Sequence, residues 1–203
     1  MNRGLIGIIV VFVALLAMGG CVAGSYNGLV SGKLEVENKW AQVDNQLQRR
    51  GDLIGNLVES VKGSAIQEQT VFGQIAAARA AMAGAKGPQA GISAAQGMDS
   101  AISRLLVVME NYPQLRSSEQ FTQLMDEISG TENRIATERM RYNDQVKLFN
   151  ISVQTFPGNL FAGFFHFAPA PFYPVPEAAK VVPKVDFGGL RNPAGGAAAD
   201  SAK

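Results

Sequence analysis

Cysteine, histidine and tryptophan each occur once in 203 residues, as Cys21, His166 and Trp40. One cysteine excludes an internal disulfide framework and any cysteine-based zinc site. One histidine excludes most imidazole-dependent chemistry. A G-x-S-x-G elbow, a phosphate loop ending in Gly-Lys-Ser/Thr and an H-E-x-x-H zinc helix are all missing. Lys and Arg number 18 against 17 Asp and Glu, a formal net charge of +1. Such a balance offers no concentrated basic surface and no case for a nucleic-acid partner. No segment alternates at period two for long enough to compete as a strand. What remains is a chain with 47% hydrophobic residues, long enough for a core of its own.

The first feature present is apolar. Leu5 to Met18 reads LIGIIVVFVALLAM, and the uncharged stretch continues through Gly24. A helix over residues 5–24 spans roughly 30 Å, one hydrocarbon core. It reads as a retained transmembrane anchor over residues 1–24. The alternative is a lipoprotein signal in which Met18-Gly19-Gly20-Cys21 is a lipobox and Cys21 the lipidated N-terminus. Length favours the anchor. Arg3 is the basic residue nearest the span, which weakly favours an inside N-terminus and a bulk outside the cytoplasm.

Residues 25–155 read as helical. Val36, Trp40, Val43 and Leu47 keep a 4-3-4 rhythm, predicting a first helix over about 25–50. Gly51 interrupts, and Asp52 is a suitable cap for a second helix over about 52–83. The loop GAKGPQAG, residues 84–91, precedes a third helix over about 94–111. A fourth, over about 117–155, carries Phe121, Leu124, Ile128, Ile135, Tyr142, Val146, Phe149 and Val153. Four helices with short links predict an all-α, antiparallel up-down four-helix bundle.

Several polar residues fall on or near its seams: Arg50, Asp52, Glu68, Glu132, Asn133, Arg134 and Glu138. Carboxylates inside a bundle suggest a di-iron site, but that chemistry draws histidines from the helices, and none lies in this stretch. A Glu–Arg network with Arg50, Arg79 or Arg134 is the structural reading, fixing register more than adding stability. Glu132, Asn133 and Arg134 read either as a solvated face, with i,i+4 pairs such as Arg134–Glu138, or as an interface.

Ordered motifs add to this. They are Tyr26-Asn27-Gly28-Leu29-Val30, Trp40, Arg49 through Val58, Val61-Lys62-Gly63, Glu110-Asn111-Tyr112-Pro113, Gly130 through Ala136 and Arg141-Tyr142-Asn143. Phe156-Pro157 with Asn159, and Val182-Pro183 with Val185-Asp186-Phe187, follow. Over residues 24–187 the chain resembles the LemA family of bacterial membrane-associated proteins. The resemblance implies an N-terminal membrane anchor and an all-helical domain, and no catalytic, cofactor or metal residues. One branch of the family is associated with magnetosome membranes, which adds weight to a membrane-organising role. Gly55 stands where the family usually has proline, so the start of the second helix is expected to be looser.

Residues 156–187 form an aromatic, proline-rich segment. Phe156, Phe161, Phe164, Phe165, Phe167, Phe172 and Tyr173 crowd into residues 156–173. Up-down topology returns this segment to the membrane-proximal end. There the rings cap the core, anchor at the headgroups, or contact a partner. Beyond residue 188 the chain is too poor in apolar bulk to fold and is expected to be a disordered tail. The expected protein is a single-pass protein of the bacterial membrane with its bulk in the periplasm. It is non-catalytic and binds no cofactor, acting as a self-associating scaffold (a homo-oligomer) or recruiting other membrane proteins. The alternative is a lipid-, peptide- or protein-binding module using residues 156–173.

Overall fold

The computed structural model describes residues 3–62 and 69–174. Glu68, residues 182–187 and the tail from 188 lie outside them. The described residues form six helical segments and no strand: α1 (Arg3–Lys62), α2 (Gln69–Gly84), α3 (Gly87–Met109), α4 (Pro113–Arg116), α5 (Glu119–Gln154) and α6 (Gly158–Phe165). The all-α class read from the sequence is observed.

The break expected at Gly51 and Asp52 does not exist. α1 is one helix of 60 residues, from the apolar run to Lys62, roughly 90 Å at 1.5 Å per residue. An interior glycine costs a helix only about 1 kcal/mol, and the buried stripe of Leu47, Leu53, Ile54, Leu57 and Val58 runs straight across it. Gly51 is itself buried, with Met98 Cε 4.0 Å from where a Cβ would stand. Asp52 therefore caps nothing. It lies mid-helix and exposed, 3.4 Å from Arg79 Nη2. Gly55 does not open a helix either: the Arg79 guanidinium lies 2.6 Å from where its Cβ would be. The small residue makes room for a side chain of α2.

The expected loop at 84–91 shrinks to Ala85 and Lys86. Gly87 turns the chain with φ +78°, and Pro88 sits in the first turn of α3. There its missing N–H costs nothing. α5 begins at Ser118, whose side chain accepts the Phe121 N–H at 3.3 Å, a hydroxyl N-cap.

Contacts give the chain directions. Gly32 meets Phe149, the Trp40 and Tyr142 rings lie 5.5 Å apart, and Arg50 pairs with Glu132. Numbers rise along α1 as they fall along α5, so the two are antiparallel. α3 runs with α1: Gly91 lies under Trp40 and Asp99 faces Arg50. α2 runs back beside both, with Arg79 against Asp52 and Gly55 of α1 and Arg104 Nη1 of α3 donating to Gln74 Oε1 at 2.9 Å. The core draws on all four, with Val43, Ile54, Leu57, Ile75, Leu105, Ile135, Tyr142 and Val146 fully buried.

The Trp40–Gly91 contact yields a test. Alanine forms helix better than glycine by about 1 kcal/mol. At Gly97, which has nothing within 4 Å of a new Cβ, Gly97→Ala should raise the melting temperature. At Gly91 a Cβ would enter the Trp40 ring, and overpacking costs about 1–3 kcal/mol. Gly91→Ala should therefore lower it. Thermal melts of the two variants should move in opposite directions.

Candidate functional site

The chain leaves α5 through Thr155, Phe156 and Pro157 and folds back at once. Gly158 packs so closely on the Ser152 carbonyl that no Cβ would fit. α6 then runs eight residues and stops at His166, which adopts φ 60° and closes the helix, with Phe167 N–H donating to Ala162 O at 2.9 Å. A left-handed residue at this point is the common way to end a helix. His166 is exposed and serves this backbone role.

The seven aromatics of this region divide. Tyr173 is buried, and Phe161, Phe165 and Phe167 are half-buried; Phe156, Phe164 and Phe172 face outward. The inward ones join α1. Phe165 stacks edge-on against Tyr26 at 4.8 Å between centroids, and Phe167 does so at 6.1 Å. One set of rings thus packs on the core and the other is exposed.

After His166, residues 167–173 form an extended strap laid along α5. Asn150 Nδ2 donates to Ala170 O at 2.9 Å, and Ala170 N–H donates to Asn150 Oδ1 at 2.7 Å. Asn143 grips Tyr173 in the same two-way fashion, at 3.0 Å and 2.8 Å. Tyr142 O–H donates to Pro171 O at 2.7 Å. The spacing explains the fit. Seven helical residues rise about 10.5 Å, and three residues of polyproline-like chain advance about 9.3 Å. Asparagine carries both a donor and an acceptor, so each replaces one rung of a β-ladder. Pro169 and Pro171 have no N–H to satisfy. The strap ends with Tyr173 beside Trp40, and the Arg139 guanidinium lies 4.2 Å from its ring centre, within cation–π range.

Asn143 and Asn150 were not singled out from the sequence, although Asn143 lies in the Arg141-Tyr142-Asn143 motif. The available signal was two asparagines seven apart on the apolar side of a helix, where amides are costly unless paired.

The polar residues named from the sequence fall in different settings. Arg50 is a Glu–Arg node with a side chain 11% exposed, its Nη1 2.7 Å from Asp99 Oδ1 and 3.0 Å from Glu132 Oε2. It joins α1, α3 and α5, with Asp99 as an unforeseen partner. Asn133 and Arg134 are exposed. Glu138 pairs with Arg141, three residues on, at 2.7 Å rather than with Arg134. Cys21 is exposed on α1. Among the described residues no three His, Cys, Asp or Glu side chains converge.

Two outcomes follow from the clamp. Asn150→Ala and Asn143→Ala each leave a strap N–H and C=O without their amide, which should cost about 1–3 kcal/mol per variant in urea unfolding. The double variant should cost less than the sum, because both hold one strap. Burial also pushes the Tyr142 phenol up to about 12 and the Tyr173 phenol upward, with Arg139 partly opposing the latter. The folded state then holds these protons more tightly than the unfolded chain, whose tyrosines titrate near 10. Stability is complete below that and should fall as pH rises from about 10 to 12. Tyr142→Phe should flatten that fall in unfolding measurements.

The comparisons agree with this picture. The LemA family model matches residues 39–187. Magnetosome proteins MamQ 2 and MamQ 1 of Paramagnetospirillum magneticum are each 28% identical over 191 residues, covering 81% of this chain and 68% of theirs. Magnetosome protein MamQ of Magnetospirillum gryphiswaldense is 27% identical over 184 residues, covering 74% of this chain and 68% of its own. With an apolar N-terminal helix, an all-helical body and a family match over most of its length, the chain belongs to the LemA family.

Proposed function

We propose that this protein is a membrane-anchored, non-catalytic scaffold that self-associates or recruits partner proteins at the bacterial membrane surface. The observation that carries this reading is the continuity of α1. Its N-terminal part is long and apolar enough to cross a bilayer and is exposed throughout, while its C-terminal part is a wall of the core. A rod of this kind ties the position of the body rigidly to the membrane, with no linker between. On this reading α1, α2, α3 and α5 form an up-down four-helix bundle projecting into the periplasm.

The same continuity supports a retained span over a lipoprotein. Cleavage before Cys21 would remove residues 1–20 from an unbroken helix, whereas a retained helix uses them all. The relatives are magnetosome proteins by name, and a membrane-organising role for this chain is in keeping with them. The seam motif Glu132-Asn133-Arg134 contributes in two ways, with Glu132 turned to Arg50 and its two neighbours open for contacts with partners.

Extraction of the full-length protein in mild detergent tests both parts. Intact mass should retain residues 1–20, and loss of them with added acyl mass at Cys21 would replace the span by a lipid anchor. Native mass should show a closed homo-oligomer or a complex with other membrane proteins. A monomer that gains thermal stability with lipid or peptide would instead make the protein a binding module acting through residues 156–173.

A further inference from the structure

We infer that the outer face of α6 is a second membrane contact, lying in the headgroup and acyl boundary of the same bilayer that α1 crosses; this deepens the anchored reading above and rests on it. Leu160 and Phe164, one turn apart on α6, are 65% and 76% exposed, and Phe156, in the turn that leads into the helix, is 83% exposed. The opposite side of α6, with Phe161, Ala162 and Phe165, faces the protein. A helix so divided leaves its apolar face uncovered by the other described residues.

The position of α6 on α1 identifies what covers the face. Phe165 shares an apolar groove with Met18, Val22, Ala23 and Tyr26 of α1. These residues belong to the last turns of the apolar run and the turn just after it. Phe164 stands 5.0 Å from Phe165, ring to ring, so the exposed face sits at that same level. If α1 crosses a bilayer, α6 is at its surface.

Charge patterning points the same way. Between Arg3 and Lys33, α1 has no Asp, Glu, Lys or Arg, and neither does the chain between Lys147 and Glu177. The register pairing Gly32 with Phe149 lays these two uncharged stretches side by side and brings Lys33 and Lys147 to one level. Everything from that level toward the span is uncharged on both strands, apart from the single His166. A surface meant for water or for a polar partner would carry charge there. An interfacial helix buries its apolar face about 5–10 Å into the headgroup boundary, with basic residues on the water side, and Lys33 and Lys147 stand where such residues belong.

Spin labelling of the full-length protein tests this, because one exposed native cysteine makes single-site labelling direct. In a Cys21→Ser background, nitroxides are placed by Val13→Cys in the span, Phe164→Cys on α6 and Val107→Cys on α3. The three proteins are reconstituted in phosphatidylethanolamine–phosphatidylglycerol liposomes. Accessibility to oxygen, which concentrates in the bilayer, is compared with accessibility to a water-soluble nickel chelate. The label at 164 should follow the one at 13, open to oxygen and shielded from nickel, while the label at 107 should show the reverse. Nickel access at 164 with protection at 13 overturns the inference and leaves the anchor standing. Protection at 164 from both reagents, with spin–spin broadening, overturns it in favour of a second copy covering the face. Nickel access at 13 overturns the anchored reading itself, and this inference with it.

Discussion

The α1–α5 seam is the contact on which the other elements depend. From Leu29 at one end through Val36, Val43 and Leu47, α1 buries a stripe against Ile135, Tyr142, Val146, Phe149 and Val153 of α5. Each large apolar side chain fully removed from water contributes about 1.5–3 kcal/mol, so this pairing outweighs the polar contacts that decorate it. Helix lengths follow from it. α1 does not stop at Gly51, because stopping would expose the buried stripe that continues to Val61.

The seam also creates a vacancy that the strap fills. The α2–α3 hairpin ends about one turn beyond Trp40, whose indole Gly91 admits. Nearer the apolar run, α1 and α5 are a bare pair, and two helices alone cannot enclose their shared stripe. Residues 167–173 take the place of the missing helix. Extended chain covers such a groove with few residues but brings unpaired backbone amides, and these need partners. Asn143 and Asn150 provide them, so amides that look out of place on a core face are there for the strap.

How much of this was legible follows from the range of each signal. Helical periodicity is local, and it marked the all-α class, the apolar run and nearly every buried residue of α5. Helix ends were less legible. Gly51 with Asp52 carries the local signature of a stop and a cap, and only its buried neighbours across the seam decide that the helix continues. The short loop at Ala85–Lys86 was hidden by the same ambiguity, since Pro88 fits a loop and a first helical turn equally well. The strap was the least legible element. Its partners lie 20 to 30 residues away, and nothing in APAPFY indicates which helix receives it. The aromatic crowding was visible, while its division into inward and outward rings depends on where Gly158 and His166 turn the chain. Arg50 lies where α1, α3 and α5 meet, and its partner Asp99 was not legible because a half-exposed carboxylate on a separate helix carries no local sign of what it pairs with.

The Arg50 node shows what the polar residues add. Its carboxylate partners are about half exposed, so water offsets much of their charge and the net stabilisation is small. Its Nε is buried without a partner among the described residues, a further cost. Apolar side chains of similar volume would hold α1, α3 and α5 together as well or better. What they would not do is penalise sliding, because apolar stripes at helical spacing match one another again after each pair of turns. A buried guanidinium shifted by two turns loses both carboxylates at once. The Asn clamp acts in the same way on the strap, since a slip of one residue presents Pro171 or Pro169, which have no N–H to donate. Register along the seam determines which part of α5 meets the apolar run, and so where α6 lies relative to it. These costly polar groups are therefore best understood as fixing the level of α6 on α1, a property that apolar packing alone leaves undetermined.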